Sequence, residues 1–111
     1  MDRETSLEIH ALHARLCKAI ADPKRLLIIN ELRDGPMTVG DLAESLQISQ
    51  SNTSQHLAVL RQAGVVSTRR DGINVYYKLR SERISDACAI TRQILLDRLQ
   101  DQMAFMTDDH A

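Results

Sequence analysis

The segment after Ser49 carries small, uncharged polar side chains of the kind that hydrogen-bond the edges of bases. Its polar residues are Gln50, Ser51, Asn52, Ser54, Gln55 and His56. Thr53, Leu57 and Leu60 recur at i, i+4 and i+7, so a helix would turn them inward and leave the polar residues outside. Amides and hydroxyls on an exposed helix suit the major groove, and the pattern predicts a DNA-reading helix. The alternative is a helix-turn-helix that contacts a protein.

Basic residues cluster after this segment, although the net charge of the chain is −1. Five basic residues and a single acidic one, Asp71, lie between positions 61 and 80. The local field there should be positive, which favours contact with phosphates. The predicted contacts with the DNA backbone or minor groove are Arg61, Arg69, Arg70 and Asn74.

Two cysteines, Cys17 and Cys88, could sense an inducer if their helices meet in a dimer interface. A disulfide, a polysulfide bridge or a thiolate-bound metal or metalloid would then change the interface. Cys88 is the preferred single sensor, because a position near the start of a helix favours a thiolate. The alternative is that both are small buried apolar side chains.

A metal site is a further hypothesis, because His10, His13 and Cys17 share one face of the first helix at i, i+3 and i+7. With Cys88 they would form a Cys2His2 set suited to zinc or another thiophilic metal or metalloid. His110, with Asp108 and Asp109, is a weaker alternative, and coincidental spacing is the competing explanation. No catalytic set accompanies them, since no carboxylate orients a histidine and no glycine loop cradles phosphates, so an enzyme is not predicted.

The apolar periodicity and the capping residues predict five helices and one hairpin in a single domain, 1–111. The dimerisation helices are 5–21 and 82–106, the helix-turn-helix is 38–63 and the wing is 65–79. Asp22, Thr38 and Ser49 are the predicted N-caps of the second, third and fourth helices. Pro23 occupies the first position of the second helix, which ends near Arg33, and Asp71-Gly72 is the predicted hairpin turn. The fold class is therefore mainly α with a β-hairpin wing, in the order α-α-α-α-β-β-α.

Composition agrees with this arrangement. The chain has 111 residues, 43% hydrophobic and 3% aromatic, so its core must come from aliphatic residues on packed helices. A seam of apolar residues along the last helix is longer than the wing can cover, which predicts a partner helix from a second subunit. No apolar run is long enough to cross a membrane and no leader is visible, so we expect a cytoplasmic protein with reduced thiols.

Several strings resemble the ArsR/SmtB family of bacterial transcriptional repressors. They cover residues 19–29, 39–43, 49–66, 69–72 and 75–79. The resemblance implies a homodimer joined through its first and last helices. It also implies binding to an inverted repeat in a promoter and release when an inducer acts on a sensor site.

The departures from the family bear on the sensor. A common metal site places Cys-x-Cys where this chain has Thr38-Val39-Gly40, and the Asp and His pairs of a second site are matched only by Asp86-Ala87-Cys88. The second helix also lacks the cysteine of persulfide-responsive relatives. We therefore predict a homodimeric repressor that releases its operator through its cysteine thiols. The alternatives are a winged-helix module for protein association and a repressor without an effector.

Overall fold

The computed structural model describes residues 1–109, without the side chains of residues 105 and 107–109. Five helices, a short 3₁₀ turn and three strands follow one another along the chain. The helices are α1 (Arg3–Ile20), α2 (Pro23–Glu31), α3 (Val39–Leu46), α4 (Gln50–Gln62) and α5 (Glu82–Asp109), with the 3₁₀ turn at Leu32–Asp34 after α2. The strands are β1 (Met37–Thr38), β2 (Val66–Asp71) and β3 (Asn74–Leu79).

Side-chain caps fix where the helices begin. Asp22 accepts hydrogen bonds from the backbone N–H groups of Lys24 (2.9 Å) and Arg25 (3.1 Å) at the start of α2. Thr38 and Ser49 cap α3 and α4 in the same way. These three predicted caps are confirmed. The additional cap Asp2 accepts from the N–H of Thr5 and starts α1 two residues earlier than predicted.

The turn between α3 and α4 sets the position of α4. Gln47 has a left-handed backbone with φ 55°, and the Ile48 N–H donates to the Ala43 carbonyl at 3.1 Å. Leu42 of α3 and Leu57 and Leu60 of α4 are completely buried. These contacts hold α4 through its inner face, so its outer face is left for solvent.

The wing differs from the prediction in two respects. β1 pairs with β3, which makes an antiparallel sheet of order β1-β3-β2 instead of a bare hairpin. The loop consists of Gly72 and Ile73, because Asp71 pairs with Asn74. The predicted turn at Asp71-Gly72 was therefore wrong by one residue.

The core lies between α2, α3, α4 and the base of the wing. Its buried cluster comprises Ile28, Ile29, Leu32, Leu42, Leu57, Leu60, Val65 and Val66. The outer lengths of α1 and α5 contribute little to it, and the chain measures 62 × 45 × 21 Å. Within the described residues, no helix has the length and apolar character needed to span a membrane.

Candidate nucleic-acid interface

The polar side of α4 faces solvent at its amino-terminal half. Gln50, Ser51, Ser54 and Gln55 are exposed, and Asn52 is half-buried. On the opposite side Thr53 is buried, and its hydroxyl donates to the Ser49 carbonyl at 2.8 Å. The helix therefore presents amides and hydroxyls outward from a buried, mostly apolar base.

His56 occupies a different environment from the one predicted. Its side chain is only 14% exposed, and its Nδ1 accepts a hydrogen bond from the Arg25 guanidinium at 3.3 Å. The same nitrogen lies 3.9 Å from the Asp22 carboxylate. Arg25 also donates through Nε to the carbonyl of Ala19, near the end of α1. His56 thus links α4 to the junction of α1 and α2, which restricts its access to a base.

Asp22 keeps its charge at this junction. The hydrogen bond from the Arg25 backbone N–H is the main cause that lowers the pKa of its carboxyl, and burial opposes this shift. Because the pKa is depressed in the folded state, the stabilising effect is present above the ordinary pKa of an aspartate. It is lost only as the pH falls through the lowered value.

The wing presents basic residues toward its tip. Arg69, Arg70 and Asn74 are exposed, and Arg61 is exposed in the last turn of α4. Sequence reasoning missed Ile73, which is 99% exposed at the tip. Assigning it to a strand hid its position, and the Gly72-Ile73 loop is what places it at the apex.

Comparison with known proteins shows which proteins this chain resembles. The family model described as "Bacterial regulatory protein, arsR family" matches residues 22–68 of this chain. The HTH-type transcriptional regulator Rv0081 of Mycobacterium tuberculosis is 37% identical over 101 residues, which cover 90% of this chain and 89% of that protein. The chain belongs to the ArsR family. The prediction of a DNA-binding transcriptional regulator is confirmed, and so is the resemblance on which it partly depended.

The chain is also similar in sequence to a repressor and in structure to two solved proteins. The transcriptional repressor SdpR of Bacillus subtilis is 44% identical over 70 residues, covering 63% of this chain and 78% of that protein. The crystal structure of Rv0081 matches with a TM-score of 0.76 at 35% identity, over 86% of this chain and 96% of that one. The solution structure of the homodimeric winged helix-turn-helix DNA-binding domain of Mb0332 from Mycobacterium bovis matches with a TM-score of 0.77 at 28% identity. The match covers 91% of this chain and 92% of that one. The winged helix-turn-helix fold class is thus confirmed.

The two cysteines of this ArsR-family chain lie in unlike surroundings. Cys17 is exposed on α1, and Cys88 is half-buried; both are free thiols. Cys88 packs against the core and lines a groove of about 720 Å³ between α2 and α5, together with Leu26, Leu27 and Arg92.

The expectation of a favoured thiolate at Cys88 was wrong. Burial raises the pKa of its thiol, although the positive charge of Arg92 opposes the shift. Cys88 is the seventh residue of α5, and the effect of a helix dipole fades within the first turn. Desolvation therefore outweighs the charge of Arg92 and favours the neutral thiol.

The four proposed metal ligands do not form a site in the described part of the chain. No group of three or more His, Cys, Asp or Glu side chains there is placed to hold a metal ion. The hypothesis of a zinc or metalloid site at His10, His13, Cys17 and Cys88 within one protomer is corrected accordingly. His10 has a local role, since its Nδ1 donates to the Ser6 carbonyl at 2.6 Å. The alternative ligand His110 lies outside the described residues.

Proposed function

We propose that the protein is a homodimeric repressor that binds an inverted-repeat operator in duplex DNA. The exposed polar face of α4, opposite buried Thr53, Leu57 and Leu60, is the observation that carries this proposal. In the proposed complex α4 of each subunit enters a major groove, and the arginines of the wing lie on the adjacent backbone. Bacterial promoters are cytoplasmic, so the repressor would act in that compartment.

Exposed apolar residues on the terminal helices support the dimer. Large aliphatic side chains on α1 and α5 remain between 45% and 64% exposed. They are Leu7, Ile9, Leu12, Ile90, Ile94, Leu95, Leu96 and Leu99. A helix that leaves so much apolar surface uncovered gains from a partner. A two-fold dimer through α1 and α5 would present two copies of α4, as an inverted repeat requires.

Selection of duplexes from a random-sequence library tests this function. We expect the wild-type protein to enrich an inverted repeat with half-site centres about one helical turn, or a multiple of it, apart. Binding to the enriched duplex should weaken steeply with salt, because each phosphate contact releases condensed counterions. Fluorescence anisotropy from low to physiological salt measures the slope. Enrichment of no motif would contradict the proposal and favour a protein-association module.

The position of the cysteines supports inducer sensing through thiols. Cys17 lies on a proposed dimerisation helix, and Cys88 lies where α5 meets α2, beside the core that supports α4. A covalent change at either sulfur would alter packing next to the proposed interface. Such a change could therefore shift the separation of the two α4 helices.

We expect exposed Cys17 to be alkylated faster than Cys88 at neutral pH, because the raised pKa of Cys88 leaves little thiolate there. The difference between the two alkylation rates should narrow as the pH rises. Mass spectrometry after timed iodoacetamide treatment measures both rates. Diamide, inorganic polysulfide or arsenite should release DNA from the wild type but not from a Cys17→Ser, Cys88→Ser variant. Equal release of DNA from the wild type and the double variant would rule out thiol sensing. A wild-type protein that keeps its DNA with all three reagents would indicate a repressor without a thiol effector.

A further inference from the structure

The tip of the wing carries an apolar side chain with no packing role in the protomer. Ile73 is 99% exposed. The other exposed large hydrophobic residues of the described chain lie on helices or, for Met1, two residues before α1. Those on helices can be buried by helix packing, whereas Ile73 stands apart from them. Ile73 is therefore available for contact with a separate partner.

The hairpin is built to hold Ile73 at its apex. Gly72 has φ +64° at the first loop position, and Ile73 has a negative φ at the second. This is the arrangement of a type II′ turn, which matches the twist of the flanking strands. Pairing of Asp71 with Asn74 closes the loop. The backbone at Ile73 is already fixed by the turn, so burial of the side chain costs little further backbone freedom.

The hairpin extends beyond the rest of the sheet. β1 reaches only as far as Tyr76 on β3, where Thr38 pairs with it. Ile73 lies three positions before Tyr76, which corresponds to a free arm of about 10 Å at about 3.3 Å per residue. A minor groove is about 6 Å wide and 7.5 Å deep. An arm of this length can place one branched aliphatic side chain in such a groove.

The charges around the tip identify the partner as a polyanion. Arg69 and Arg70 lie just before the loop and are exposed. Asp71, between Arg70 and the loop, is the one acidic residue in this stretch. An apolar tip flanked by arginines fits a groove whose walls carry phosphates and whose floor consists of sugar and base edges. A purely apolar protein partner would leave the guanidinium groups desolvated without counter-charges.

We propose that Ile73 enters the minor groove beside each half-site and selects A·T pairs there. The inference rests on the proposed function and deepens it, since it assigns a specificity-determining residue outside α4. The exocyclic amino group of guanine projects into the minor groove. It blocks the branched side chain, whereas the smooth floor of an A·T pair accepts it.

The test uses the full-length protein and the duplex enriched by the wild type, with hydroxyl-radical footprinting to locate the bases beneath the wing. Ile73→Ala should weaken binding about tenfold, because apolar contacts are lost at two wings. The slope of log affinity against log salt concentration should be the same for Ile73→Ala as for the wild type, because no phosphate contact is lost. Arg70→Ala is the matched control, and its slope should fall by about one per wing. Both positions are exposed, so thermal unfolding should be unchanged.

Base substitution beneath the wing distinguishes insertion from simple proximity. Changing A·T to G·C there should weaken the wild type and leave Ile73→Ala nearly unaffected. Replacing G·C by inosine·C, which removes the amino group, should restore wild-type affinity. Wild-type affinity in Ile73→Ala, or an inosine duplex that binds no better than G·C, overturns this inference alone. Failure of the wild type to enrich any duplex overturns the proposed function and the inference together.

Discussion

Replacing Ser54 and Gln55 together by alanine is expected to weaken operator binding by at least about a hundredfold. Both side chains are exposed on α4 and have no role in the buried cluster. A good side-chain contact with a base is worth about 1–3 kcal/mol, and a dimer would lose each contact twice. Anisotropy titration of the selected duplex, beside a scrambled duplex, measures the loss. Binding to the scrambled duplex should change little, because phosphate contacts remain.

Gln100→Ala is the control for this variant. Gln100 is an exposed polar residue of α5 and lies on a different element from α4. The Gln100→Ala variant should bind the selected duplex with wild-type affinity. Both variants should unfold at the wild-type temperature. If the Ser54, Gln55 double variant kept wild-type discrimination between the two duplexes, α4 would not be the reading helix.

The helices follow from local signals, which is why the sequence predicts them well. Asp22, Thr38 and Ser49 each cap a helix by accepting from a backbone N–H two or three residues later. Such bonds depend on near neighbours alone. The inward positions of Leu57 and Leu60 likewise follow from helical periodicity.

The wing was harder to predict because more than one register satisfies its sequence. Asp-Gly and Gly-Ile are both acceptable two-residue loops, and one residue decides whether Ile73 belongs to a strand or to the tip. Pairing of Met37 and Thr38 with Tyr77 and Tyr76 involves segments far apart in the chain. A strand of two residues has no periodicity to detect. The loop thus differs by a choice between two neighbouring registers, whereas β1 depends on a contact that is distant in sequence.

The environments of His56 and Cys88 were missed for the same reason. The partner of His56 is Arg25, 31 residues earlier, and no spacing rule connects the two. Cys88 lies near a helix start in the sequence, yet its packing against the core controls its thiol. Sequence patterns identify which residues could do chemistry, whereas their protonation and accessibility depend on the folded surroundings.

Leu95→Asp is expected to give a monomer that has lost most of its operator affinity. Leu95 is 55% exposed on α5 and Leu99, one turn later, is 46% exposed. Burying such a side chain in a dimer contributes about 1.5–3 kcal/mol, and the two-fold axis counts it twice. A carboxylate at this position would have to be desolvated against apolar side chains, which disfavours the dimer further.

Loss of the dimer should weaken binding to the inverted repeat by about 10²–10⁴-fold, because the second half-site no longer benefits from linkage to the first. Light scattering after size-exclusion chromatography gives the mass, and anisotropy gives the affinity. Gln100→Asp adds the same charge about 140° around the helix from Leu95 and should remain dimeric. A dimeric Leu95→Asp protein with wild-type affinity would show that this part of α5 lies outside the interface. A monomer that still bound the whole repeat tightly would instead show that reading does not require two linked subunits.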